Sequence, residues 1–354
     1  VEALAAAGRA VSTRASLPVL SGVRLELSGD QLRVTGSDLD TTISATVKVA
    51  GAGDGQAVIN AKLVTDIVRA LPEGSVELAV ENDEATITAG RSQFSVRTIP
   101  ASEFPNLVEP SGDAVTVDGA HFAAAVRQVV SAASNDENRP ILRGVQMEAE
   151  DGGVKLVATD SYRLAVRDLP GTTLLEEGGS VLVPRQALQE LLRMLSGSEE
   201  ALTVRLGERD AAFEVGGSYL ITRLIDGQFP NYRNLIPESQ PNKMTVGREA
   251  LIEAAKRVRV VARDASTPVR LTMKPGSLEL SASTQDYGTA FEQLDVDYQG
   301  EELTVAFNPE YLVAGLEAAT GDEVTLESVD ALRPALLRST DDADYRYVLM
   351  PVRI

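Results

Sequence analysis

GVRLELSGDQLRVTGSDL, residues Gly22 to Leu39, returns as GVQMEAEDGGVKLVATDS from Gly144 to Ser161 and again as VRLTMKPGSLELSAST from Val269 to Thr284. With Val23 set on Val145 and Arg24 on Arg270, the three stretches run on without a gap, at a period of about 122 to 124 residues. VRLELSG and LRVTGSD alternate apolar and polar residues, and the SGDQ between them supplies turn chemistry, so the stretch reads as a β-hairpin. Solenoid units of about 20 to 50 residues cannot bury an apolar face alone, whereas a unit of this length can, so the repeat is one of whole domains.

More of each unit recurs further out. LPVL (Leu17 to Leu20) returns as RPIL (Arg139 to Leu142), and the FPN of Phe104 to Asn106 as Phe229 to Asn231. A strand-then-helix stretch occurs as AVINAKLVTDIVRAL from Ala57, VLVPRQALQELLRML from Val181 and VAFNPEYLVAGLEAA from Val305. In the second of these Leu188, Leu191, Leu192 and Leu195 carry the helical spacing, and Pro184 stands just before the helix, where a missing N–H is tolerated. Helices are expected over residues 1–14, 61–70, 119–131, 185–195, 247–263 and 308–319. The expected domains are 1–109, 110–238 and 239–354, each with two amphipathic helices on one side of about eight antiparallel strands, an α+β class. AVTVDGAHF (Ala114 to Phe122) resembles KMTVGREAL (Lys243 to Leu251), while the first unit begins inside its helix; one N-terminal strand is expected to be missing from it.

Composition narrows the chemistry. The chain has 354 residues, 44% hydrophobic and 24% charged, enough apolar surface for real cores. No apolar run approaches the ~18 residues of a membrane span. The absence of Cys removes disulfides, thiolate catalysis and zinc–thiolate sites. The single His121 stands at a helix start beside Phe122, outside any catalytic signature, and reads as a satisfied or solvent-facing side chain. GAGDG (Gly51 to Gly55) lacks the Lys-Ser/Thr and helix of a phosphate loop, and Asp295, Asp297 and the DDAD of Asp341 to Asp344 lack calcium-loop spacing. No catalytic constellation, metal or cofactor is expected, and a cytosolic location is the simplest reading.

The formal charge of −19 argues against a polyanionic partner only if charge is spread evenly. It is not. Five of the six expected helices carry a net positive charge while strands and loops are acid. On the fifth, Arg248, Lys256, Arg259 and Arg263 fall within an arc of roughly 80°, and Leu251, Ala255, Val258 and Ala262 share another. One face packs and the other is cationic.

Three similar domains, TDSYRL (Thr159 to Leu164), LIDGQFPNYRNLIP (Leu224 to Pro237), FNPEYL (Phe307 to Leu312) and the terminal YVLMPVRI (Tyr347 to Ile354) together resemble the bacterial sliding clamps, the beta subunits of DNA polymerase III. The resemblance implies a non-catalytic homodimer: two three-domain protomers joined head to tail in a six-domain ring, sheets outside and helices inside, encircling double-stranded DNA without regard to sequence. It implies processivity in DNA replication through tethering of the replicative polymerase, in the bacterial cytoplasm, with the clamp loader, other polymerases and repair proteins as further partners. Helix packing agrees: six helices at ~10 Å spacing leave an opening of only about 9 Å, while twelve leave about 28 Å, enough for duplex DNA. A repeat-built peptide-binding scaffold without a DNA role, and a metal-dependent hydrolase, are the alternatives; the first leaves the helix charge unexplained and the second lacks paired carboxylates.

Carried over by position, the resemblance implies a partner-peptide groove lined by Leu142, Thr159, Ser161, Tyr162, Arg163, Leu164, Pro230, Leu235, Asn308, Tyr311, Pro334, Val348, Met350, Pro351, Val352 and Arg353. Apolar side chains there would desolvate the anchors of an extended peptide while polar groups fix its register. Ser161 and Tyr162 stand where the family commonly has a Gly-His pair, and Asn234 where it often has a basic residue. The dimer contact is expected from Phe94 and Val96 against Val260 and Val261, with Lys62 and Arg91 opposite Asp286 and Glu292. DNA-facing residues are Arg14, Lys62, Arg69, Arg127, Arg185, Arg193, Arg248, Lys256, Arg259 and Arg263. The loop SNDENRP (Ser134 to Pro140) matches a DNA-touching position but lacks the family's aromatic residues.

Overall fold

The hairpin read from Gly22 onward is present: β1 (Gly22–Ser28) and β2 (Gln31–Ser37) pair antiparallel with Ser28 opposite Gln31. Gly29 supplies the left-handed backbone of the turn at φ 55°. The computed structural model describes residues 1–12, 17–107, 110–198, 200–237, 240–262 and 267–353. Arg14 and Arg263 therefore lie outside the described residues. The chain divides into two units, one formed by residues 1–119 and 193–224, the other by 120–192 and 225–354.

In the first unit α1 (Glu2–Gly8) precedes β1, β2, β3 (Thr41–Lys48) and β4 (Gly55–Asn60), followed by α2 (Ala61–Ala70), β5 (Glu77–Glu81), β6 (Glu84–Ala89), β7 (Ser92–Arg97) and β8 (Val115–Val117). The strands β13 (Leu202–Leu206), β14 (Asp210–Val215) and β15 (Ser218–Arg223) complete it. An eight-stranded sheet runs in the order β4-β1-β2-β3-β15-β14-β13-β8, so strands of the first and second repeats fuse through β3 and β15, with Ser44 opposite Tyr219. A separate sheet holds β5, β6 and β7. The helical expectation for 61–70 matches α2, whose N-cap Asn60 accepts the Leu63 N–H at 3.0 Å. α1 is shorter than the expected 1–14, ending at Gly8.

Val23, Leu25, Val34, Ile59, Val64, Ile67 and Ile87 form the core beneath α1 and α2. β2 meets α1 closely at Gly36, where an added Cβ would stand 2.0 Å from the Ala7 carbonyl oxygen. The matching positions of the other repeats hold Ala158 and Ala282.

In the second unit α3 (Gly119–Val130) leads to β9 (Gly144–Glu150), β10 (Gly153–Thr159), β11 (Arg163–Pro170), β12 (Ser180–Pro184) and α4 (Arg185–Met194). Then come β16 (Asn242–Gly247), α5 (Arg248–Arg259), β17 (Val269–Lys274), β18 (Ser277–Thr284), β19 (Gly288–Asp295), β20 (Asp297–Gln299), β21 (Leu303–Phe307), α6 (Pro309–Ala318), β22 (Glu323–Ser328), β23 (Ala335–Ser339) and β24 (Tyr345–Leu349). A nine-stranded sheet runs β12-β9-β10-β11-β24-β23-β22-β16-β20 and a four-stranded one β19-β18-β17-β21. Here the second and third repeats fuse through β11 and β24, the counterparts of β3 and β15. Among the described residues β19 and β7 each pair on one side only. So does β5, whereas its counterparts β13 and β22 are flanked by β8 and β16.

Gly36→Ala should cost about 1–3 kcal/mol through overpacking against the α1 backbone. Urea unfolding followed by circular dichroism should show an earlier first transition, with later transitions unmoved.

Candidate functional site

The pairing of β11 with β24 sets Leu164 opposite Val348, and β23 adds Leu336 on the far side of Val348. These three join Val157, Val166, Leu182, Phe229 and Tyr232 in one buried apolar cluster, with Ile141 and Ile236 packed at its edge. Leu164 and Val348 are thus floor rather than wall. Phe229 and Tyr232 anchor a loop whose Pro230 and Leu235 remain exposed at its surface. That loop is held from beneath: the Tyr232 hydroxyl donates to Glu148, and Arg233 reaches both Glu148 at 2.8 Å and Glu150 at 3.1 Å. Burial and the neighbouring Glu148 carboxylate push the Tyr232 hydroxyl far above its ordinary pKa, so it stays a donor.

Polar bracing centres on Asp160, which the sequence reading did not single out. Its carboxylate accepts the Tyr162 N–H at 2.9 Å, the Arg163 N–H at 3.0 Å and Arg163 Nε at 3.0 Å, and the carboxylate and guanidinium are both largely buried. The signal was present in TDSYRL, since an Asp followed two and three residues on by free N–H groups is an Asx turn. Arg163 lies 4.4 Å over the Tyr311 ring and donates to the Ser131 carbonyl. Burial alone would lower its pKa, yet the Tyr347 hydroxyl and the Asp160 carboxylate hold it above the ordinary value.

Ser161 sits at φ 81°, a left-handed conformation that costs a residue with a Cβ about 1–2 kcal/mol. Its hydroxyl accepts from Arg139 at 3.2 Å. Tyr162, 58% exposed, stacks on Tyr311 with ring centroids 6.4 Å apart, and its carbonyl accepts the Met350 N–H. Asn308 caps α6 and so fixes Tyr311, while Val352 N–H donates to the Ala306 carbonyl. Leu142 and Thr159 are buried beside this group, the Thr159 hydroxyl donating to the Arg163 carbonyl. Pro334 adjoins β23 and Pro351 lies between Met350 and Val352; no hydrogen bond among the described residues ties Pro334 or Arg353 to the rest.

The basic helix residues divide. Lys62, Arg69, Arg127 and Arg193 are exposed. On α5 the expected cationic face is largely neutralised by α6 and the strands: Lys256 meets Glu317 at 3.0 Å, Arg259 meets Glu310 at 2.6 Å, and Arg257 makes a two-pronged contact with Glu292 at 2.8 and 3.1 Å. Arg248 is spent on the Gly321 and Leu316 carbonyls, and Arg185 on the Ala133 carbonyl and Asn135. Burial, with Arg163 nearby, lowers the Arg185 pKa.

Residues 1–108, 116–231 and 233–353 match, in turn, the N-terminal, central and C-terminal domains of the DNA polymerase III beta subunit family. The chain belongs to this family. It is 34% identical to the beta sliding clamp of Streptomyces coelicolor, over 100% of this chain and 96% of that one, and 30% identical to that of Bacillus subtilis, over 98% and 95%. Among solved structures it is similar to the Bartonella birtlesii clamp bound to griselimycin, with a TM-score of 0.94 at 30% identity over 100% of this chain and 96% of that one. The Pseudomonas aeruginosa beta subunit gives 0.92 at 29%, over 100% and 97%. It is a DNA sliding clamp of DNA polymerase III, a non-catalytic accessory subunit built from three clamp domains. Among the described residues no helix is long and apolar enough to cross a membrane.

The clamp's expected dimer residues also divide. Phe94 on β7 is 39% exposed and Val260 at the end of α5 is 63% exposed, whereas Val96 is only 8% exposed and belongs to the first repeat's core. Because β7 alternates faces, Val96 can fill that core from a strand whose edge is open. Glu292, expected to await Lys62 or Arg91, is already held by Arg257; Asp286, Lys62 and Arg91 are exposed. Phe291 on β19, 62% exposed, was missed by the sequence reading although its place in the alternation of GTAFEQLD was visible.

Asp160→Ala should destabilise the second unit by about 3–5 kcal/mol, since it strands a buried guanidinium. Differential scanning calorimetry should show the loss, and Asp160→Glu should recover only part of it.

Proposed function

We propose that this clamp works as a closed ring of two copies, the β7 edge of each completing the β19 edge of the other. One observation carries the reading. Within the units, adjacent repeats join by β3 with β15 and by β11 with β24; the same junction applied once more calls for β19 with β7, and among the described residues both are edge strands with one side unpaired. Each open edge presents an aromatic side chain, Phe291 on one and Phe94 on the other. Unpaired strand edges are templates for pairing, and joining unlike edges on identical chains is head-to-tail association.

In this reading the domains fall at 1–109, 110–238 and 239–354, and the helices line a hole for duplex DNA. Lys62, Arg69, Arg127 and Arg193 supply a sparse positive lining. With much of the basic charge on α5 paired to Glu317, Glu310 and Glu292, phosphates are attracted without being gripped, which suits sliding. The groove over Leu164 and Val348, rimmed by Pro230, Leu235, Tyr162 and Met350, takes short peptides from the polymerase, the clamp loader and repair proteins, in the cytoplasm where the chromosome is copied. An apolar floor with polar fixing groups at its rim supports that use.

Sedimentation should give a mass near twice 37.6 kDa for the chain. Phe291→Glu should shift it to the monomer, and only the unsubstituted protein should stay on nicked circular plasmid and be lost after linearisation. A monomer at micromolar concentration in the unsubstituted protein, or equal retention on both DNA forms, would sink the reading.

A further inference from the structure

The eight-stranded sheet of the first unit turns one face to α1 and α2. On the other, a row of facing residues crosses six strands: Arg24, Thr35, Ser44, Tyr219, Glu214 and Thr203. Arg33 and Arg205 lie in the flanking rows; Thr35 and Ser44 are buried, while Arg24, Arg33, Leu107, Pro110, Tyr219, Glu214, Thr203 and Arg205 line an open trough of about 800 Å³. Three arginines gather here in a chain of charge −19. Arg24 has only Glu26 at 3.8 Å beside it, together with the Phe104 ring at 5.1 Å, and its Nε is buried without a hydrogen-bond partner. Arg205 donates to the Gly112 carbonyl, and neither it nor Arg33 has an ion-pair partner among the described residues.

The chain holds its own control. In the repeat register Arg33 corresponds to Lys155, which the second unit neutralises with Glu150 and with Asp168, the latter also bound by Arg346. The positions of Glu150 and Asp168 are Ser28 and Thr46 in the first unit, and Arg205 stands where Glu327 stands in the second. Among the described residues the first unit has kept the cation, replaced those two acids and gained a further arginine, with Glu26 still opposite Arg33 on β1. A guanidinium with no counter-ion stabilises nothing within the fold and is available to an anion from outside.

Dimensions choose the anion. From β1, which carries Arg24, to β13, which carries Arg205, there are five strand spacings, about 24 Å, the length of roughly seven extended residues. A small anion cannot engage both ends. Glu214, in the row between them, opposes a chain with charge at every step, such as a nucleic acid, but tolerates a peptide whose middle is neutral. We propose that this trough binds an extended acidic peptide, with its carboxylates at the two ends on Arg24/Arg33 and Arg205 and neutral residues over Tyr219. The site lies wholly in the first unit and does not depend on the peptide groove of the second.

The test is fluorescence anisotropy on the full chain with a labelled peptide of about eight residues, glutamates at both ends and serine and leucine between. Its glutamine counterpart and an oligothymidylate of equal length are the comparisons. The acidic peptide should bind and the glutamine peptide should not. Arg33→Gln with Arg205→Gln should weaken binding at least about tenfold. Thr46→Asp, which restores the acid used by the second unit, should do the same by pairing Arg33 internally, with the unfolding profile unchanged. Absence of binding at about millimolar peptide, equal binding of the oligothymidylate or glutamine peptide, or affinity untouched by both sets of substitutions would each overturn the proposal.

Discussion

A β-strand at the edge of a sheet leaves a line of N–H and C=O groups without partners, and much of this clamp follows from how those lines are satisfied. No repeat closes its own hairpin sheet. The third strand of one repeat, β3 or β11, finds its partner in the last strand of the next, β15 or β24. The junction is made of main chain, so it tolerates the wide drift in side chains between copies, and side chains on its two faces are free to specialise. At the β11 and β24 junction the pairing sets Leu164 against Val348 within a buried apolar cluster; at the β3 and β15 junction the same kind of pairing brings Ser44 against Tyr219.

Charge is handled differently in the two places. Around β11 and β24, acids and bases are matched almost one for one: Lys155 with Glu150, Arg346 with Asp168, Arg167 with Asp342, Arg163 with Asp160. Glu148 and Glu150 hold the loop bearing Pro230 and Leu235 through Tyr232 and Arg233, and Asp160 holds the turn bearing Tyr162. Such pairs contribute less to net stability than to geometry, because desolvation offsets much of their attraction. Their value here is a loop and a turn fixed in one geometry, which is what the proposed peptide groove would need.

The threefold repeat, the hairpins and the helices from α2 onward could be read from the sequence, because period and alternation report which face of an element is buried; the groove's members came from the family resemblance alone. What a face meets is not in the period. The arc of Arg248, Lys256 and Arg259 was visible, but α6 is fifty residues further along and its Glu310 and Glu317 cancel much of it. Val96 was placed at a subunit contact by position, and sharing a strand face with Phe94 could not say that it closes the first repeat's own core. Asp160 went unnoticed because a single acid in a turn is common, and only the fold brings Arg163 and Tyr311 around it.

The two strand edges proposed to join, on β7 and β19, are unlike each other, and that difference governs how the molecule would assemble. Identical edges would mate once about a two-fold axis and stop. Unlike edges leave one donor and one acceptor on every aggregate that has not closed, so addition of chains either returns on itself or continues as a filament. In the proposed ring, closure is what would stop polymerisation: the turn accumulated over two copies would have to bring the last edge back to the first. Small changes in that turn, far from any interface, would alter the number of chains in the product without weakening a single contact.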